Sequence, residues 1–495
     1  MQVAFVCLEA REALAYGLMS LAGALRARGH TVDLVQGRDA ATVGRDGRVR
    51  RADVIAMSAT TGLHRVYVRW AHELRRLRPG AALVMGGPHP TFFPEVIDQA
   101  PLDGVCIGEG EESFPEYLDV LAAGGRGAPD GWWIRRDGGR GPVERGRPRG
   151  PVADLDSLPA PAYDLFYDAK PEYRRAPNKA FLATRGCPYR CTYCFNRTLN
   201  ERHRPYGRLV RTRDPDLVVD EIAAVRARWG VRLAWFLDAN FVADRRWLES
   251  FADTYRRRLG LPFMCKLRPE RASERVVRTL VQANCTAVGI GIESGSERLR
   301  REWLGRPVAD ADILAGCRRL KRAGLRVLSF SMLGIPGETL DEALRTVAFN
   351  VACGVDFAAA TVLQPYPGTA IAARAIAEGH FDGRFDRLDY SYFGESPFAF
   401  PSARARHRIT NLQRLFSFAV EFPEVRTRLR WLIDREPSRL FRHLFEVRHG
   451  WAIRHTFYEA QARFAPREAG TFAQLAAACR DLGLSAPDSD YTGRC

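Results

Sequence analysis

The run Arg185-Gly186-Cys187-Pro188-Tyr189-Arg190-Cys191-Thr192-Tyr193-Cys194-Phe195-Asn196 decides how this chain is read. Its Cys-x3-Cys-x2-Cys spacing brings three thiolates within reach of one metal centre and supplies no fourth. Thiolate is the ligand that holds iron–sulfur clusters. A cubic four-iron cluster bound by Cys187, Cys191 and Cys194 keeps one iron open to a non-protein ligand, which implies chemistry at the cluster rather than electron storage. The alternative is a structural zinc site completed by a histidine or a distant cysteine. Zinc sites usually arrive as two cysteine pairs or a cysteine pair followed by a histidine pair. Here the nearest histidine is His203, and no second pair follows.

Outward from the cysteines, six strand–helix units can be read from Lys179 to about Gly379. Their strands fall near 180–186, 233–239, 263–269, 287–293, 326–333 and 358–365, a pattern that predicts a partial (β/α)6 TIM-like barrel. The cysteine loop follows the first strand and so lies at the carboxyl-end face, where such barrels place their active sites. Strand alternation sets Phe236, Asp238 and Asn240 on one face of strand two. By the same rule Lys266 and Arg268 share a face of strand three, and Gly289, Gly291 and Glu293 a face of strand four. Strand five offers Ser329 and Ser331, and strand six Gln364 and Tyr366. So polar a face predicts a lined cavity rather than a dry core. Internal salt bridges such as Lys266–Glu293 are the competing reading.

Before the barrel, from Gln2 to about Gly124, short apolar runs alternate with amphipathic segments: 3–8, 31–35, 53–58, 82–85 and 104–107 as strands, with helices between. That order predicts a doubly wound parallel sheet, Rossmann-like, with ligands outside the strands' carboxyl ends. The residues there are Ser58 to Gly62, Gly86-Gly87-Pro88-His89-Pro90-Thr91, and Gly108-Glu109-Gly110. Glycines at these ends let a bulky ligand approach the backbone, or simply make tight turns. No Gly-x-Gly-x-x-Gly follows the first strand, which argues against a dinucleotide site. Residues 125–175 read as a linker with a small hairpin near Trp132, and 381–495 as a basic, helical C-terminal domain.

Composition narrows the class. A chain of 495 residues exceeds one ordinary core. Eight of the eleven cysteines stand singly, several in apolar runs such as Phe5-Val6-Cys7-Leu8, so a disulfide framework is not indicated. With no signal peptide at the start and no apolar stretch long enough for a bilayer, the chain reads as cytoplasmic, with no membrane span. The net charge of +16 invites a nucleic-acid partner. Yet lysine occurs only at Lys170, Lys179, Lys266 and Lys321, and the arginines are spread beside acids along helix faces. That distribution argues against nucleic acid.

The cysteine run, with Tyr193 as the aromatic before the last cysteine, resembles the signature of the radical S-adenosylmethionine (SAM) enzymes. A Rossmann-like domain with Gly-Gly-Pro-His-Pro and Gly-Glu-Gly-Glu directly ahead of such a core is similar to the cobalamin-binding domain of the B12-dependent members. The resemblance implies a [4Fe-4S] cluster on Cys187, Cys191 and Cys194, with SAM at the open iron. It implies that Glu293 and Ser294 approach the SAM ribose and methionyl end, and that Gly334-Ile335-Pro336-Gly337 and Gln364 flank adenine. Lys266 or Arg268 would pair with the SAM carboxylate, with Tyr193, Asp238 and Asn240 as candidate catalytic residues. Cobalamin would sit on Ser58, Gly86, Gly87, Pro88, His89, Gly108, Glu109 and Gly110. The positions two before His30, His64 and His89 are Arg28, Gly62 and Gly87, so the Asp-x-His-x-x-Gly motif is absent and the cobalt's lower face would lack a histidine from this domain. The implied activity is methylation of an unactivated carbon of a small-molecule substrate, through a 5′-deoxyadenosyl radical and methylcobalamin, with an electron donor such as flavodoxin or ferredoxin. A cyclase or rearrangement enzyme without net methyl transfer, of the porphyrin-cyclase kind, is the alternative. A zinc or iron–sulfur nucleic-acid-binding protein is a remote one. A tRNA methylthiotransferase would need further cluster cysteines in the first domain, where Cys7 and Cys106 stand alone.

Overall fold

A computed structural model describes residues 1–9, 16–125, 127–207, 209–388 and 391–457. The part of the expected helical tail beyond 457 lies outside the described residues. Two parallel sheets organise the chain. The first runs in the order β2-β1-β3-β4-β5-β6-β7. Its strands are β1 (Gln2–Leu8), β2 (Thr31–Gly37), β3 (Val54–Ser58), β4 (Ala82–Gly86), β5 (Gly104–Cys106), β6 (Trp132–Arg135) and β7 (Val143–Arg145). β1 to β5 pair in parallel, whereas β6 pairs antiparallel with β5 and β7 antiparallel with β6. The hairpin expected inside the linker is thus the edge of the first sheet. Trp132 carries it there: its ring stacks on Tyr117 at 4.2 Å and its indole N–H donates to Ser113 O at 3.0 Å. Val3, Ala4, Phe5 and Val6 are all buried, because helices cover both faces of the sheet and leave no polar side to alternate with.

The second sheet is the partial barrel. It begins with β8 (Asn178–Phe181) and continues through β11 (Leu233–Phe236), β12 (Phe263–Leu267), β13 (Cys285–Glu293), β14 (Arg326–Leu333) and β15 (Phe357–Val362). Neighbours are parallel throughout, and β8 and β15 are the open edges. The expected first strand divides. After β8 the chain leaves the sheet, and β9 (Thr184–Arg185) pairs antiparallel with β10 (Arg211–Thr212). The helix Ala403–Glu421 packs on β15 and on the helix Leu340–Ala352, and joins the C-terminal region to the barrel.

The barrel's faces differ from the alternation expected. Phe236 points outward into the aromatic layer with Phe251 and Tyr255, while Leu233 and Trp235 take the inner side. Ser329 and Ser331 also face outward and bond Asn350 of the covering helix, the latter at 3.2 Å. The inner floor is apolar: Leu233, Met264, Ala287 and Leu328 touch, with Trp235 and Phe357 beside them. A polar side chain on a strand therefore marks the lumen in β12 and β13 but a helix contact in β14. Nor does a Lys266–Glu293 bridge form; Glu293 pairs with Arg306 at 2.8 Å.

Candidate functional site

The cysteine loop is fixed from both ends. Beyond β11, Asp238 is buried, and its carboxylate accepts from Thr184 N at 2.5 Å, Thr184 Oγ1 at 2.6 Å and Ala183 N at 3.4 Å. These bonds satisfy the backbone that peels away from β8, so Asp238 shapes the entry to the loop and touches no open space. Burial raises its pKa above the ordinary value. Gly186 follows with φ +93°, and a Cβ there would stand 1.9 Å from Leu209 O. Only glycine fits before Cys187. Downstream, Thr192 N donates to Leu304 O and Ile371 N to Thr192 O, both at 3.1 Å, and Asn200 Nδ2 donates to Cys187 O at 2.7 Å. Phe195 stacks between Phe92 of the first domain, at 4.4 Å, and Tyr366 after β15, at 5.7 Å.

The three thiols are free, with Cys191 buried and the other two half-buried. Burial raises the pKa of Cys187 and Cys194, and the neighbouring cysteine sulfurs add to the effect. Among the described residues no three His, Cys, Asp or Glu side chains converge closely enough for a single metal ion. Three cysteines on one loop fit a four-iron cluster in which three irons each take one thiolate. Charge compensation is at hand: Arg268 Nη1 lies 3.8 Å from Cys191 Sγ, and its guanidinium covers the Tyr189 ring at 3.8 Å.

Around this loop stands a charged ring that sequence reading found only in part. Arg268 also bonds Glu270, Arg306 lies 3.7 Å from Glu270 and 2.8 Å from Glu293, and Arg306 is 3 % exposed. Among the described residues Arg306 Nε and Nη2 have no hydrogen-bond partner. Glu293 holds φ +65° at a bulge between Gly291 and the end of β13, a strained conformation that aims its carboxylate along the ring. Burial and that carboxylate push the Tyr193 hydroxyl well above the ordinary phenol value. Lys266 stands in the lumen, its pKa lowered by burial. Asn240 Oδ1 is buried without a partner among the described residues. Ser294 instead serves its own turn, with Oγ accepting from Ser296 N at 3.1 Å.

The Gly334-Ile335-Pro336-Gly337 turn after β14 borders a cavity of about 500 Å³. It is held by Glu338, whose Oε2 accepts from Gly334 N at 2.7 Å and Ile335 N at 3.4 Å. Gln364 lies elsewhere, on the wall of a chamber of about 1200 Å³ between the barrel mouth and the C-terminal helices.

In the first domain, the carboxyl ends of β1, β3, β4 and β5 open into a cavity of about 390 Å³. Ser58, Gly86, Gly87, Pro88, Gly108, Glu109 and Gly110 line it. Gly87 has φ +94°, and a Cβ would meet Ser58 Oγ at 2.7 Å. His89 turns away. It is buried, its Nδ1 lies 3.1 Å from Thr61 Oγ1, and its ring stacks on His64 at 3.6 Å. Burial lowers the His64 pKa to about 4 and the His89 pKa to about 3, so both are neutral. The cavity's depth and glycine-lined wall fit a flat group such as the appended nucleotide base of cobalamin.

The Gly-Glu-Gly-Glu loop does two jobs. While its glycines line the cavity, Glu109 forms paired bonds with Arg211, at 2.7 and 2.8 Å, and accepts from Val152 N at 2.7 Å. Glu111 takes Arg185 at 2.6 Å and Ser20 at 2.8 Å, and Arg185 also reaches Glu109 at 3.4 Å. Burial works against the Glu109 carboxylate, but the two arginines overcome it and hold its pKa below the ordinary value. Arg185 and Arg211 face each other across β9 and β10, directly before the cysteines. A distance of about a hundred residues hid this clamp from the sequence; the arginine preceding Gly186-Cys187 was the available signal.

Comparison with known proteins follows the same division. A family model described as the Radical SAM superfamily matches residues 181–349, and one described as the B12 binding domain matches residues 11–118. An uncharacterized methyltransferase of Pyrococcus horikoshii is 28% identical over 328 residues, covering 66% of this chain and 70% of that protein. Cytidylyl-2-hydroxyethylphosphonate methyltransferase of Streptomyces wedmorensis is 24% identical over 356 residues, 63% of this chain and 65% of that protein. Among solved structures, the radical S-adenosylmethionine methyltransferase TsrM of Kitasatospora setae, with cobalamin and a [4Fe-4S] cluster bound, superposes with a TM-score of 0.63. It is 19% identical and covers 76% of this chain and 78% of its own, a likeness of fold.

Proposed function

We propose that this chain, which belongs to the radical SAM enzymes carrying a B12-binding domain, methylates an unactivated carbon of a small-molecule substrate. The observation that carries this reading is the Gly108–Glu111 loop, which lines the B12-domain cavity and also grips the strand entering the cysteine loop. One segment thereby sets the cavity and the cluster loop side by side.

When bound, the cluster and SAM supply a 5′-deoxyadenosyl radical that takes a hydrogen atom from the substrate, and cobalamin supplies the methyl group; the protein orients and encloses them. Cys187, Cys191 and Cys194 would hold the cluster, with Arg268 offsetting its negative charge. Arg306, whose Nε and Nη2 make no hydrogen bond among the described residues, joins Lys266 and Arg268 as a candidate for the SAM carboxylate, where a planar guanidinium offers the better bidentate fit. Asn240 offers an unsatisfied acceptor at the barrel mouth. Asp238, committed to Thr184 and Ala183, orients the loop and is not assigned to proton transfer. Leu233, Met264, Ala287 and Leu328, with Trp235 and Phe357 packed beside them, give the lumen an apolar floor. A reduced flavodoxin or ferredoxin would deliver the electron.

The test is anaerobic reconstitution with iron, sulfide and hydroxocobalamin, followed by SAM and dithionite. Formation of 5′-deoxyadenosine, abolished by Cys191→Ser, is expected. A protein that binds no four-iron cluster or never cleaves SAM overturns the radical reading. SAM cleavage without cobalamin binding overturns methyl transfer alone, and a substrate product lacking the added methyl mass would assign the chain to cyclisation or rearrangement instead.

A further inference from the structure

The chamber between the barrel mouth and the C-terminal helices contains two buried polar side chains whose bonding capacity is largely unused among the described residues. Gln364, two residues past the end of β15, is 4 % exposed, and both its amide oxygen and nitrogen lack partners among the described residues. Arg414, on the helix Ala403–Glu421, is 5 % exposed, and among the described residues its guanidinium makes one long bond, 3.4 Å to Ser438 O, and no ion pair. A buried guanidinium without an anion is costly, and native proteins pair such groups or give them to a ligand. Arg442, on the helix Arg439–Phe457, lines the same chamber and also forms no ion pair among the described residues.

The surroundings sharpen the charge. Burial and then Arg442 lower the Arg414 pKa, while Glu395 and Glu446 pull the other way more weakly. Two positive groups thus share the chamber, and Arg442 acts on Arg414 more strongly than either Glu395 or Glu446 does. The chamber's remaining acid, Asp382, already faces Arg387 at 3.6 Å. Two guanidiniums and an amide donor lining one chamber supply the donors that take two or three oxygens of one anionic group.

We propose that the substrate carries an oxyanion, a carboxylate or a phosph(on)ate, seated between Arg414 and Arg442 with Gln364 donating to it, so that this chamber is the substrate's binding site above the barrel. This rests on the methyltransferase reading and names its substrate class. The anion fixes one end of the substrate at the C-terminal helices, and the reacting carbon extends toward the barrel mouth, which Gln364 borders.

Titrating the reconstituted, SAM-loaded enzyme with inorganic phosphate and, separately, with acetate tests this without turnover, with ligand relaxation in ³¹P or ¹³C NMR as the readout. Saturable binding of at least one ion is expected, weakened roughly tenfold or more by Arg442→Gln and by Arg414→Gln, as loss of a charge-assisted bond implies. The surface variant Arg430→Gln, whose partner is the exposed Asp341, should bind as wild type. Preference for phosphate or for acetate assigns the anion. No saturable binding of either ion, or equal binding by wild type and Arg442→Gln, overturns the proposal. Should Arg414→Gln fail to fold, the exposed Arg442 still decides the matter. An enzyme that forms 5′-deoxyadenosine yet binds neither ion loses this inference and keeps its proposed activity; one that binds ions but never cleaves SAM does the reverse.

Discussion

Replacing Glu338 by glutamine should change how the barrel's stability depends on pH. Glu338 is half-buried as a residue, but its carboxyl group is enclosed: Oε1 has no partner, and Oε2 accepts from the Gly334 and Ile335 amides. Burial outweighs those two bonds and raises its pKa from the ordinary 4.5 to about 8. The folded chain therefore retains a proton that the unfolded chain releases throughout that interval. Stability from this group is fully present below pH 4.5 and is lost as pH rises towards 8, by about 1.4 kcal/mol per pH unit. Across the whole interval the loss is about 5 kcal/mol in order of magnitude. Glutamine keeps an acceptor oxygen for both amides and cannot ionise. Between pH 6 and 8 the wild type should thus lose about 2 kcal/mol more than Glu338→Gln. Urea unfolding at several pH values, followed by tryptophan fluorescence, measures the difference directly. Parallel stability profiles for the two proteins would refute the reasoning, because every other titrating group is common to both.

Three further outcomes follow from the cluster loop and its clamp. Glu109→Ala leaves Arg211 buried without its carboxylate, while Arg185 keeps Glu111, which should cost about 3–5 kcal/mol and separate the calorimetric transitions of the two domains; a single unshifted transition would count against the clamp. Gly186→Ala places a methyl against Leu209 O at a positive φ, so iron content after reconstitution should fall well below wild type, and full cluster loading would show that the loop tolerates the shift. Removing the charge beside Cys191 through Arg268→Gln favours the less reduced cluster, so the midpoint potential in an EPR-monitored titration should move to more negative values; an unchanged or raised potential would remove Arg268 from the cluster's electrostatics.

The first sheet was readable because its strands are continuous apolar runs, buried on both faces and punctuated by glycine. The barrel was readable as six units, but not in its faces. Ser329 and Ser331 meet Asn350 on the covering helix, and polarity alone cannot tell a helix-facing network from a lumen. Strand two stops at Phe236, so alternation could not be carried on to Asp238 and Asn240. The hairpin at Trp132 looked local and proved to be a sheet edge, since pairing with β5 depends on an aromatic stack that no neighbouring residue announces. Glu109 was recognised as important in its motif, while its partners Arg185 and Arg211 lay far along the chain.

The clamp has a consequence for how such an enzyme can vary. Gly108 and Gly110 border the cavity of the first domain, and Glu109 and Glu111, alternating with them, hold the arginines that lead into Cys187. A displacement of this loop moves both cofactor regions together, so it cannot be adjusted for one without disturbing the other. The C-terminal chamber is attached differently, through the helix Ala403–Glu421 on β15 and the segment between Gly379 and Phe400. Arg414 and Arg442 belong to helices that carry none of the cluster ligands. Side chains there can change without moving a cysteine, so the proposed anion site can vary independently of the clamped loop.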